Sequence, residues 1–566
     1  MAGGSADLKA FLAARDFLLK HREDYDAAYR GFEWPQLTTF NWALDYFDEL
    51  GREDPGKIAL WIVEDDGSER RYSFAEMSRR SNQVGNFLRR LGVMRGSRIV
   101  VMLPNNVAIW EITLAALKIG AVLIPAATLL TTEDLRDRVQ RADARHVIAT
   151  SAVVEKFQDL RSEFIGISVG ETVGGWKNYD DAYNESAELA AYPEPRVDDP
   201  FLLYFTSGTT ARPKLVLHTH QSYPVGHLAT MYWIGLRPED IHCNISSPGW
   251  AKHAWSSFFA PWNAGATIFV HNYARFSARN TLSQIERCEV TTMCAPPTVW
   301  RSCVLEDLSA YKMKIRDLVG AGEPLNPEII EKVRRSWGVT IRDGFGQTEN
   351  VCLLANFPGQ MIKPGAVGRP SPGHQVVLLD ADGRESNEGE IALRLQPRPL
   401  SLFAQYLDDS ARTDSVMQGG YYRTGDVASR DADGFYTYVG RADDVFKSSD
   451  YRLSPFELES ALVEHDAIAE AAVVPSPDEI RWTVPKAFIV LKPGLQPTKE
   501  IAREIFQFVR KRLGPYKRIR RIEFSELPKT ISGKIRRVEL RAVESEARAL
   551  GSRRENEYWE EDFTEL

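Results

Sequence analysis

The feature that most constrains the fold is a repeated alternation of short apolar strands and helices. Arg98–Leu103 has the pattern of a strand, a helix follows and ends near Gly120, and Ala121–Ile124 has the pattern of the next strand. This order is typical of a βαβ unit, in which the strands are parallel and helices cover the sheet. Similar strand-like runs recur at 145–150, 266–271 and 290–295. The pattern predicts an α/β fold: a large layered α/β N-terminal domain of mostly parallel sheets with helices.

The pattern changes after about residue 440, which predicts a second, smaller α+β domain. Its expected helices are Ser454–Glu464 and 498–513, and its expected strands are Ala469–Val474, Lys486–Leu491 and Ile522–Phe524. Glycine and charge in Gly440–Asp444 suit an exposed hinge. We therefore predict four parts: an N-terminal helical extension at 1–36 with one helix over 7–30, a large domain at 37–440, a small mobile domain at 441–545, and an acidic solvated tail at 546–566.

Composition excludes several classes of protein. A chain of 566 residues with 43% hydrophobic and 26% charged residues is expected to form more than one globular core. The net charge of −8 argues against a nucleic-acid partner. No apolar run is long enough to span a bilayer, and the N-terminus carries no targeting signal, so no integral membrane association is expected. Five cysteines without CxxC spacing fit reduced thiols, which predicts a cytoplasmic location. Monomer and homodimer both stay open.

One loop carries the strongest chemical signal. Tyr204–Lys214 reads YFTSGTTARPK and follows an apolar segment. Its hydroxyls, glycine and backbone N–H groups can converge on an anion, and Lys214 adds a positive charge. The string is not a Walker P-loop, because GKS or GKT does not follow the glycine. It predicts a site for nucleotide phosphates, and an ordinary polar hairpin is the alternative.

Further strings with interpretable chemistry follow in order along the chain. They are GAGEPL at 320–325, DGFGQTE at 343–349, YRTGDV at 422–427, YVGRADDVF at 438–446 and PKTISGKIRR at 528–537. Glycine-rich backbone can admit an adenine ring, and Asp426 can accept from two ribose hydroxyls. Glu349 can hold Mg²⁺, and Lys534 is a point charge suited to a developing negative charge. Taken singly, each string is equally a turn or a solvated basic edge.

In this combination the strings resemble those of the adenylate-forming enzymes, which include acyl-CoA synthetases, carrier-loading adenylation domains and firefly luciferases. The resemblance covers about residues 40 to 540. SPGWAKHAW, APWNAG and KSSDYRLSPFELE look most like the medium-chain acyl-CoA synthetase branch. The resemblance implies an AMP-forming acyl-CoA ligase that uses ATP, Mg²⁺ and CoA. A carboxylic acid and ATP would give an acyl-adenylate and pyrophosphate, and CoA would then displace AMP.

The resemblance also implies a role for each matching residue. The catalytic residues would be Lys214, Thr348, Glu349 and Lys534, with Glu349 as the metal ligand and Asp443 as the hinge. The ATP-binding residues would be those of the phosphate loop, the adenine strings and the ribose pair: Thr206, Ser207, Gly208, Thr209, Thr210, Ala211, Arg212, Pro213, Lys214, Gly322, Glu323, Pro324, Asp343, Gly344, Phe345, Gly346, Gln347, Thr348, Asp426, Arg441 and Lys534.

Contacts to CoA are expected from the small domain. The implied residues are Ser449, Asp450, Tyr451, Arg452, Arg481 and Lys517. The chain departs from the family's pattern in three places: Ala211 and Asp450 replace glycines, and Trp482-Thr483 replaces a Gly-Glu pair. A carboxylate at position 450 would lie on the pantetheine path, where it could narrow the path or repel phosphates.

The acyl pocket is partly readable. Acetyl-CoA synthetases carry a tryptophan directly before the QTE string, and this chain has Gly346 there. The missing indole predicts room for an acid longer or bulkier than acetate: medium-chain, branched or aromatic. Trp250 and His253 lie in the segment that lines the acyl site in the family, although plain core packing explains Trp250 equally well.

Two alternatives to the ligase stay open on sequence. One is an adenylate former that passes the acyl group to a separate carrier protein. The other is a non-catalytic protein that binds acyl-adenylate or acyl-CoA, against which the intact Lys214, Glu349 and Lys534 speak.

Overall fold

The computed structural model of the protein describes residues 5–191, 195–206, 213–322, 325, 327–448, 451–478, 481–530 and 534–563. The chain divides into two compact units. The first comprises Met1–Val376, Leu393–Tyr422 and Ala432–Tyr436, and the second comprises Val377–Ala392, Arg423–Asp431 and Thr437–Leu566. The second unit thus includes segments that precede residue 440, and the four-part division of the sequence stays a prediction.

A nine-stranded sheet forms one layer of the first unit, within the described residues. In spatial order its strands are Arg369–Pro370, Cys352–Ala355, Ile341–Gly346, Asp317–Ala321, Thr292–Ala295, Ile241–Asn244, Thr267–His271, Ile58–Val63 and Glu69–Ser73. The strands from Ile341–Gly346 to Ile58–Val63 are parallel to one another, and the strands on either side of them pair antiparallel. A buried apolar cluster around Phe269, Trp300 and Leu318 packs on this sheet.

An eight-stranded sheet forms the second layer of this unit in the described part of the chain. Its strands, in spatial order, are Gln405–Tyr406, Lys214–Thr219, Pro200–Thr206, Val122–Pro125, Arg98–Met102, His146–Thr150, Ile165–Val169 and Lys177–Asn178. The strands from Pro200–Thr206 onward are parallel, whereas the first two pairings are antiparallel. The predicted βαβ unit lies here, so the expectation of mostly parallel sheets is confirmed.

Helices of the first unit have readable start and stop signals. Ser73 caps Phe74–Arg90, and Thr131 and Asp134 form a capping box at Thr132–Arg141. Gly120, with φ of 72°, ends Val107–Ile119 in the left-handed conformation that glycine accepts. The other helices, including short 3₁₀ and π turns, are Ala6–Lys20, Tyr25–Gly31, Trp42–Phe47, Asp48–Glu53, Ser151–Leu160, Tyr179–Asn184, Leu228–Ile234, Ala251–Ala254, Trp255–Phe259, Ala260–Ala264, Ala278–Arg287, Pro297–Cys303, Leu308–Ala310, Pro327–Trp337 and Ser410–Val416.

The second unit is built around a four-stranded sheet in its described residues. The strands are Ile468–Asp478, Trp482–Leu491, Arg521–Phe524 and Glu557–Trp559. Its helices are Pro455–Val463, Lys499–Arg512, Pro515–Lys517, Arg537–Ala549 and Glu560–Asp562. Two smaller sheets comprise Glu385–Ser386, Val376–Leu379, Glu388–Arg394, Tyr421–Arg430 and Tyr436–Arg441, and Phe446–Ser448 with Tyr451–Leu453.

Two segments differ from their expected conformation. The helix expected over 7–30 is two helices, because Asp24 caps a new one whose first residue is Tyr25. The expected solvated tail at 546–566 instead contains Glu557–Trp559, which pairs antiparallel with Arg521–Phe524. Among the described residues, no helix has the length and apolar character needed to cross a membrane.

Candidate active site

The phosphate loop predicted from the sequence connects two antiparallel strands. Pro200–Thr206 and Lys214–Thr219 pair so that Thr206 lies opposite Lys214. The ends of the loop are therefore adjacent. The Pro213 carbonyl accepts from Arg141 Nη1 at 3.0 Å, which ties the loop end to helix Thr132–Arg141. Ser207, Gly208, Thr209, Thr210, Ala211 and Arg212 lie outside the described residues.

Lys214 and Glu349, both predicted as catalytic, are brought together across the first unit. Lys214 Nζ lies 3.5 Å from Glu349 Oε1, and the two side chains are 17% and 9% exposed. Tyr406, which the sequence analysis missed, donates its hydroxyl to the same Glu349 oxygen at 2.9 Å. Lys214 Nζ also lies 5.2 Å from the centre of the Tyr406 ring. Tyr406 belongs to a two-residue strand beside Lys214–Thr219, and no local pattern in the sequence marks it.

The backbone carbonyl of Thr348 accepts a hydrogen bond from a buried histidine, His218. His218 Nε2 lies 2.7 Å from the Thr348 carbonyl, and Nδ1 lies 2.9 Å from Ser222 Oγ. Because a carbonyl only accepts, Nε2 carries the proton and Nδ1 accepts from Ser222. Burial lowers the pKa of His218 to about 3, so the ring stays neutral. His218 therefore fixes the chain that carries Thr348 and Glu349.

Gln347 is held at both its backbone and its side chain. Its N–H donates to Asn350 Oδ1 at 2.9 Å, and Tyr422 donates its hydroxyl to Gln347 Oε1 at 2.8 Å. The QTE string predicted from the sequence is thus a fixed turn after strand Ile341–Gly346.

The residues expected beside adenine lie where two neighbouring parallel strands of the nine-stranded sheet, Asp317–Ala321 and Ile341–Gly346, have their carboxyl ends. Asp343 Oδ1 accepts from Gly344 N–H at 3.0 Å, and Oδ2 accepts from Leu325 N–H at 3.4 Å. Burial raises the pKa of Asp343 to about 7, against the lowering effect of these two bonds. Phe345 is half-buried on the same strand. Gly322 has φ of 112°, which suits glycine, whereas Glu323 and Pro324 lie outside the described residues.

A side chain could not be accommodated at Gly346. A Cβ atom there would lie 2.2 Å from the Val351 carbonyl oxygen and 2.5 Å from Cη2 of Trp255. The sequence alone predicts that the absent indole leaves this space open. The structure instead fills the space with an indole from another element.

The two other residues expected in the acyl pocket have partners of their own. His253 is buried, its Nε2 lies 3.0 Å from Asn105 Oδ1, and its ring packs on Trp110. Burial lowers the pKa of His253 to about 3. Trp250 is half-buried and packs against the apolar cluster of the eight-stranded sheet. Their place in an acyl pocket stays a prediction.

In the second unit, the predicted ribose residues Asp426 and Arg441 form an ion pair. Arg441 Nη1 lies 3.1 Å from Asp426 Oδ2, and Tyr438 donates its hydroxyl to Asp426 Oδ1 at 2.8 Å. Asp426 is only 4% exposed, so both its oxygens are fixed. Tyr438 stands in the YVGRADD string but was not singled out from the sequence.

The expected hinge and the lysine of the GK loop also belong to this unit. The Asp443 carboxylate lies 3.5 Å from Arg441 Nε, and its carbonyl accepts from Arg541 Nη1 at 3.0 Å. Lys534 is exposed, and its backbone N–H donates to Thr530 Oγ1 at 3.1 Å. Thr530 N–H in turn donates to the Lys534 carbonyl at 2.7 Å.

The expected CoA residues are only partly described. Ser449 and Asp450 lie outside the described residues, as do the side chains of Tyr451 and Arg452. The Arg481 backbone N–H donates to Asp478 Oδ1 at 2.9 Å, and Lys517 pairs with Glu457.

The donor set suits a cation that shares its ligands with phosphates. No group of three or more His, Cys, Asp or Glu residues suited to a metal occurs in the described part of the chain. Mg²⁺ is commonly held by one or two carboxylates together with waters and substrate phosphates. The Glu349 carboxylate beside Lys214 therefore fits Mg²⁺ that arrives with a nucleotide.

Family models match most of the chain. A model described as AMP-binding enzyme matches residues 47–407, and one described as AMP-binding enzyme C-terminal domain matches residues 457–534. Among similar proteins, 4-hydroxybutyrate--CoA ligase 1 of Metallosphaera sedula is 44% identical over 537 residues, which cover 92% of this chain and 94% of that protein. Acyl-coenzyme A synthetase ACSM3, mitochondrial, of Homo sapiens is 39% identical over 544 residues, 92% of each chain.

Solved structures agree with this comparison. The anthranilate CoA ligase AuaEII in complex with anthranoyl-AMP matches with a TM-score of 0.81 at 30% identity, over 89% of this chain and 98% of that chain. A benzoate CoA ligase from Burkholderia xenovorans LB400 matches with a TM-score of 0.76 at 30% identity, over 89% of this chain and the whole of that chain.

Proposed function

This chain belongs to the family of AMP-binding enzymes and is an AMP-forming acyl-CoA ligase, and from that premise we propose how its residues act and which acids it takes. Its substrates are a carboxylic acid, ATP and CoA. In the first half-reaction, a carboxylate oxygen bonds to the α-phosphorus of ATP and the bond to pyrophosphate breaks. In the second, the CoA sulfur bonds to the acyl carbon, the bond to AMP breaks, and the thiol proton goes to solvent.

The observation that carries the proposed roles is the contact of Lys214 with Glu349 at 3.5 Å. The reaction must bring together a carboxylate and a triphosphate, both negative, and their repulsion strengthens where water is excluded. We assign Lys214 to the phosphates that leave and Thr348 to the α-phosphate. His218 and Tyr406 keep Thr348 and Glu349 in place.

Magnesium would be held by Glu349, with its other ligands from phosphate and water. It would supply positive charge to the phosphate oxygens. Tyr406 and Lys214 orient the Glu349 carboxylate that would be this ligand.

The remaining assignments concern the second unit. Asp426 accepts from the ribose hydroxyls while Tyr438 and Arg441 fix its orientation. Lys534 meets the charge shared by the α-phosphate and the attacking carboxylate. Asp443 acts as the hinge, and Arg481 and Lys517 contact the CoA phosphates, for which Lys517 must leave Glu457.

We propose an acid larger than acetate: medium-chain, branched or aromatic. Relatives named for 4-hydroxybutyrate, anthranilate and benzoate support this class. We also propose a cytoplasmic location, which the five buried cysteines without disulfides support. Cell fractionation tests the location.

The proposed role of Lys534 is tested by measuring the two half-reactions separately in a variant that lacks its charge. We expect Lys534→Ala to lower acid-dependent pyrophosphate release about 10²–10³-fold, because one charge donor to the transition state is lost. The same variant should still form thioester from supplied acyl-adenylate and CoA. Lys529→Ala is the matched control, since Lys529 lies close by in sequence and pairs on the surface with Glu470.

The assay uses acetate, butyrate, 4-hydroxybutyrate, octanoate, benzoate and anthranilate, each with and without CoA. Equal loss of both half-reactions in Lys534→Ala would refute its assigned role. Turnover that releases pyrophosphate without CoA and forms no thioester would favour a separate carrier as the acceptor. Absence of pyrophosphate release with every acid would refute the proposed acid class.

A further inference from the structure

One arginine of the first unit bonds to two segments that lie directly beside the proposed phosphate and magnesium residues. Arg141 Nη1 donates to the Pro213 carbonyl at 3.0 Å. Its Nε and Nη2 donate to Asp408 Oδ2 at 2.9 and 2.5 Å. We propose that Arg141 is a positioning residue for adenylate formation, because it fixes the pair of strands on which Lys214 and Tyr406 lie. This inference rests on the proposed function, since the roles of those two residues belong to that reaction.

The two bonded segments meet at the same end of one antiparallel strand pair. The strand that begins at Lys214 pairs with the two-residue strand that ends at Tyr406. The pairing continues one step further, where the Leu407 N–H donates to the Leu215 carbonyl at 2.9 Å. The same register brings Asp408 opposite Lys214, so a single guanidinium closes the end of the pair.

The two side chains that this strand pair carries converge on one carboxylate. Lys214 Nζ lies 3.5 Å from Glu349 Oε1, and the Tyr406 hydroxyl donates to the same oxygen at 2.9 Å. Opening or sliding of the strand pair would change both distances at once. Misplacement of a reacting group by about 1 Å can cost about 100-fold in rate, even when the change that causes it is remote. The reaction therefore depends on the register of this pair.

Arg141 is itself fixed, and its described hydrogen bonds all go to oxygens of the protein. Nη1 also donates to Asp137 Oδ2 at 3.2 Å, one helical turn earlier. The guanidinium carbon lies 5.6 Å from the centre of the Phe205 ring, on the strand that precedes the phosphate loop. The planar fork of arginine serves several acceptors in fixed directions, which the ammonium group of lysine does not. Because two carboxylates balance its charge, Arg141 holds the strand pair and does not itself take up phosphate.

The exposure of this cluster argues against a role in stability alone. The side chains of Arg141 and Asp408 are 20% and 37% exposed. Ion pairs that are open to solvent in this way contribute little to stability. Removal of Arg141 is therefore expected to change the first half-reaction more than the unfolding transition.

Kinetics of two variants test the inference. Arg141→Gln should lower kcat/KM for ATP in pyrophosphate release by about 10–100-fold, because the strand pair loses its tie. Arg141→Lys keeps the charge without the fork and should lose less, about threefold to tenfold. Calorimetric titration with ATP and Mg²⁺, without acid, should show binding weakened by about threefold or more in Arg141→Gln. The KM for the acid, thioester formation from supplied acyl-adenylate, and the thermal unfolding midpoint should stay close to those of the wild-type protein.

A double-mutant cycle separates positioning from a general structural defect. Tyr406→Phe removes the hydroxyl that the strand pair presents to Glu349. If Arg141 acts through this strand pair, the two losses overlap. The double variant should then be less impaired than the product of the single losses, by about threefold or more. Losses that multiply would contradict action of Arg141 through the strand pair.

Arg136→Gln is the matched control, because Arg136 lies on the same helix and pairs at the surface with Glu133 and Asp159. It should leave every value unchanged. Wild-type kcat/KM for ATP in a folded Arg141→Gln, or equal losses in both half-reactions, would overturn the inference. If that variant fails to fold, Asp408→Asn decides in the same way. Absence of pyrophosphate release by the wild-type protein with every acid would count against the proposed function, whereas the ATP titrations would still decide the role of Arg141.

Discussion

Each unit has a lysine that pairs with carboxylates, and the two lysines differ in solvent exposure and in the number of carboxylates around them. Lys214 meets Glu349 at 3.5 Å, and its side chain is 17% exposed. Lys486 is fully buried in the second unit and lies 2.6, 2.8 and 3.3 Å from Glu544, Glu523 and Glu557. The first pair is longer and more open to solvent, whereas the second is a short-range cluster closed to it.

The difference separates a reactive arrangement from a structural one. A buried charge is tolerated only where partners satisfy it, so the acids around Lys486 need the lysine as much as it needs them. The cluster joins strand Trp482–Leu491 to Arg521–Phe524, to helix Arg537–Ala549 and to Glu557–Trp559. At the Lys214–Glu349 pair, by contrast, the two charges are 3.5 Å apart and the described pair consists of one lysine and one carboxylate, so an arriving phosphate can compete for Lys214.

The largest expected effect is on stability and comes from breaking the buried cluster. Lys486→Met should lower the free energy of unfolding by about 3–5 kcal/mol, because it removes a buried cation shared by three carboxylates, which then keep only their arginine partners. Chemical unfolding followed by circular dichroism measures the loss. Lys492→Met, at an exposed lysine just after the same strand, should change it by less than about 0.5 kcal/mol. A loss below about 1 kcal/mol for Lys486→Met would mean that the cluster is not structural.

At the Lys214–Glu349 pair, by contrast, we expect a large effect on the reaction rate and a small one on stability. Lys214→Met should lower pyrophosphate release about 10²–10³-fold, since a donor to the departing phosphates is lost. Its unfolding free energy should fall by less than that of Lys486→Met, because Glu349 keeps the hydrogen bond from Tyr406. Lys314→Met disrupts a surface lysine–glutamate pair of 2.6 Å and should leave the rate unchanged. If Lys214→Met lost stability but kept its rate, the contrast between the two lysines would be reversed.

The same contrast shows what could be predicted from sequence. Lys214 and Glu349 stand in strings whose residue types and order indicate a nucleotide site, and the alternation around Arg98–Met102 indicates the parallel sheet. Lys486, however, looks only like the first residue of a strand, and Glu557 falls in a stretch expected to be a solvated tail. Their pairing depends on tertiary packing, which local patterns do not encode.

The acyl pocket illustrates the same limit. The sequence reveals that residue 346 lacks a side chain, but the atoms that approach it come from a distant segment. Trp255, which lies against Gly346, is the first residue of the π turn Trp255–Phe259, and no spacing of apolar residues marks that turn. Tyr406 was missed for a similar reason, since its strand is two residues long.

A smaller effect on the reaction rate is expected when Glu349 loses a hydrogen bond that orients it but no charge is removed. Tyr406→Phe deletes the hydroxyl that donates to Glu349 at 2.9 Å. A hydrogen bond to a charged group contributes about 1.5 kcal/mol, so kcat/KM for ATP should fall about tenfold. More magnesium should be needed for half-maximal rate. Tyr232→Phe, which removes a hydroxyl that donates to the His21 carbonyl, is the control and should leave both values unchanged. An unaltered magnesium requirement in Tyr406→Phe would contradict the positioning of Glu349.

The smallest expected effect concerns another carboxylate, that of Asp343, whose described hydrogen bonds come from backbone amides and not from a lysine. Burial raises its pKa to about 7, whereas an unfolded aspartate titrates near about 3.9. Between these values the folded state binds more protons than the unfolded state, so this group makes the protein less stable as pH rises from about 4 to 7.

Asp343→Asn keeps an acceptor for the Gly344 amide and removes the charge. Its stability relative to the wild-type protein should therefore rise by about 1 kcal/mol across that pH range, a modest value because the side chain is partly exposed and solvent screens it. Unfolding midpoints of both proteins, measured without ligand at several pH values, test this. If the stabilities of the two proteins changed in parallel with pH, the charge of Asp343 would be as well compensated as the carboxylates around Lys486. The carboxylates of the two units would then differ only in how exposed they are to solvent.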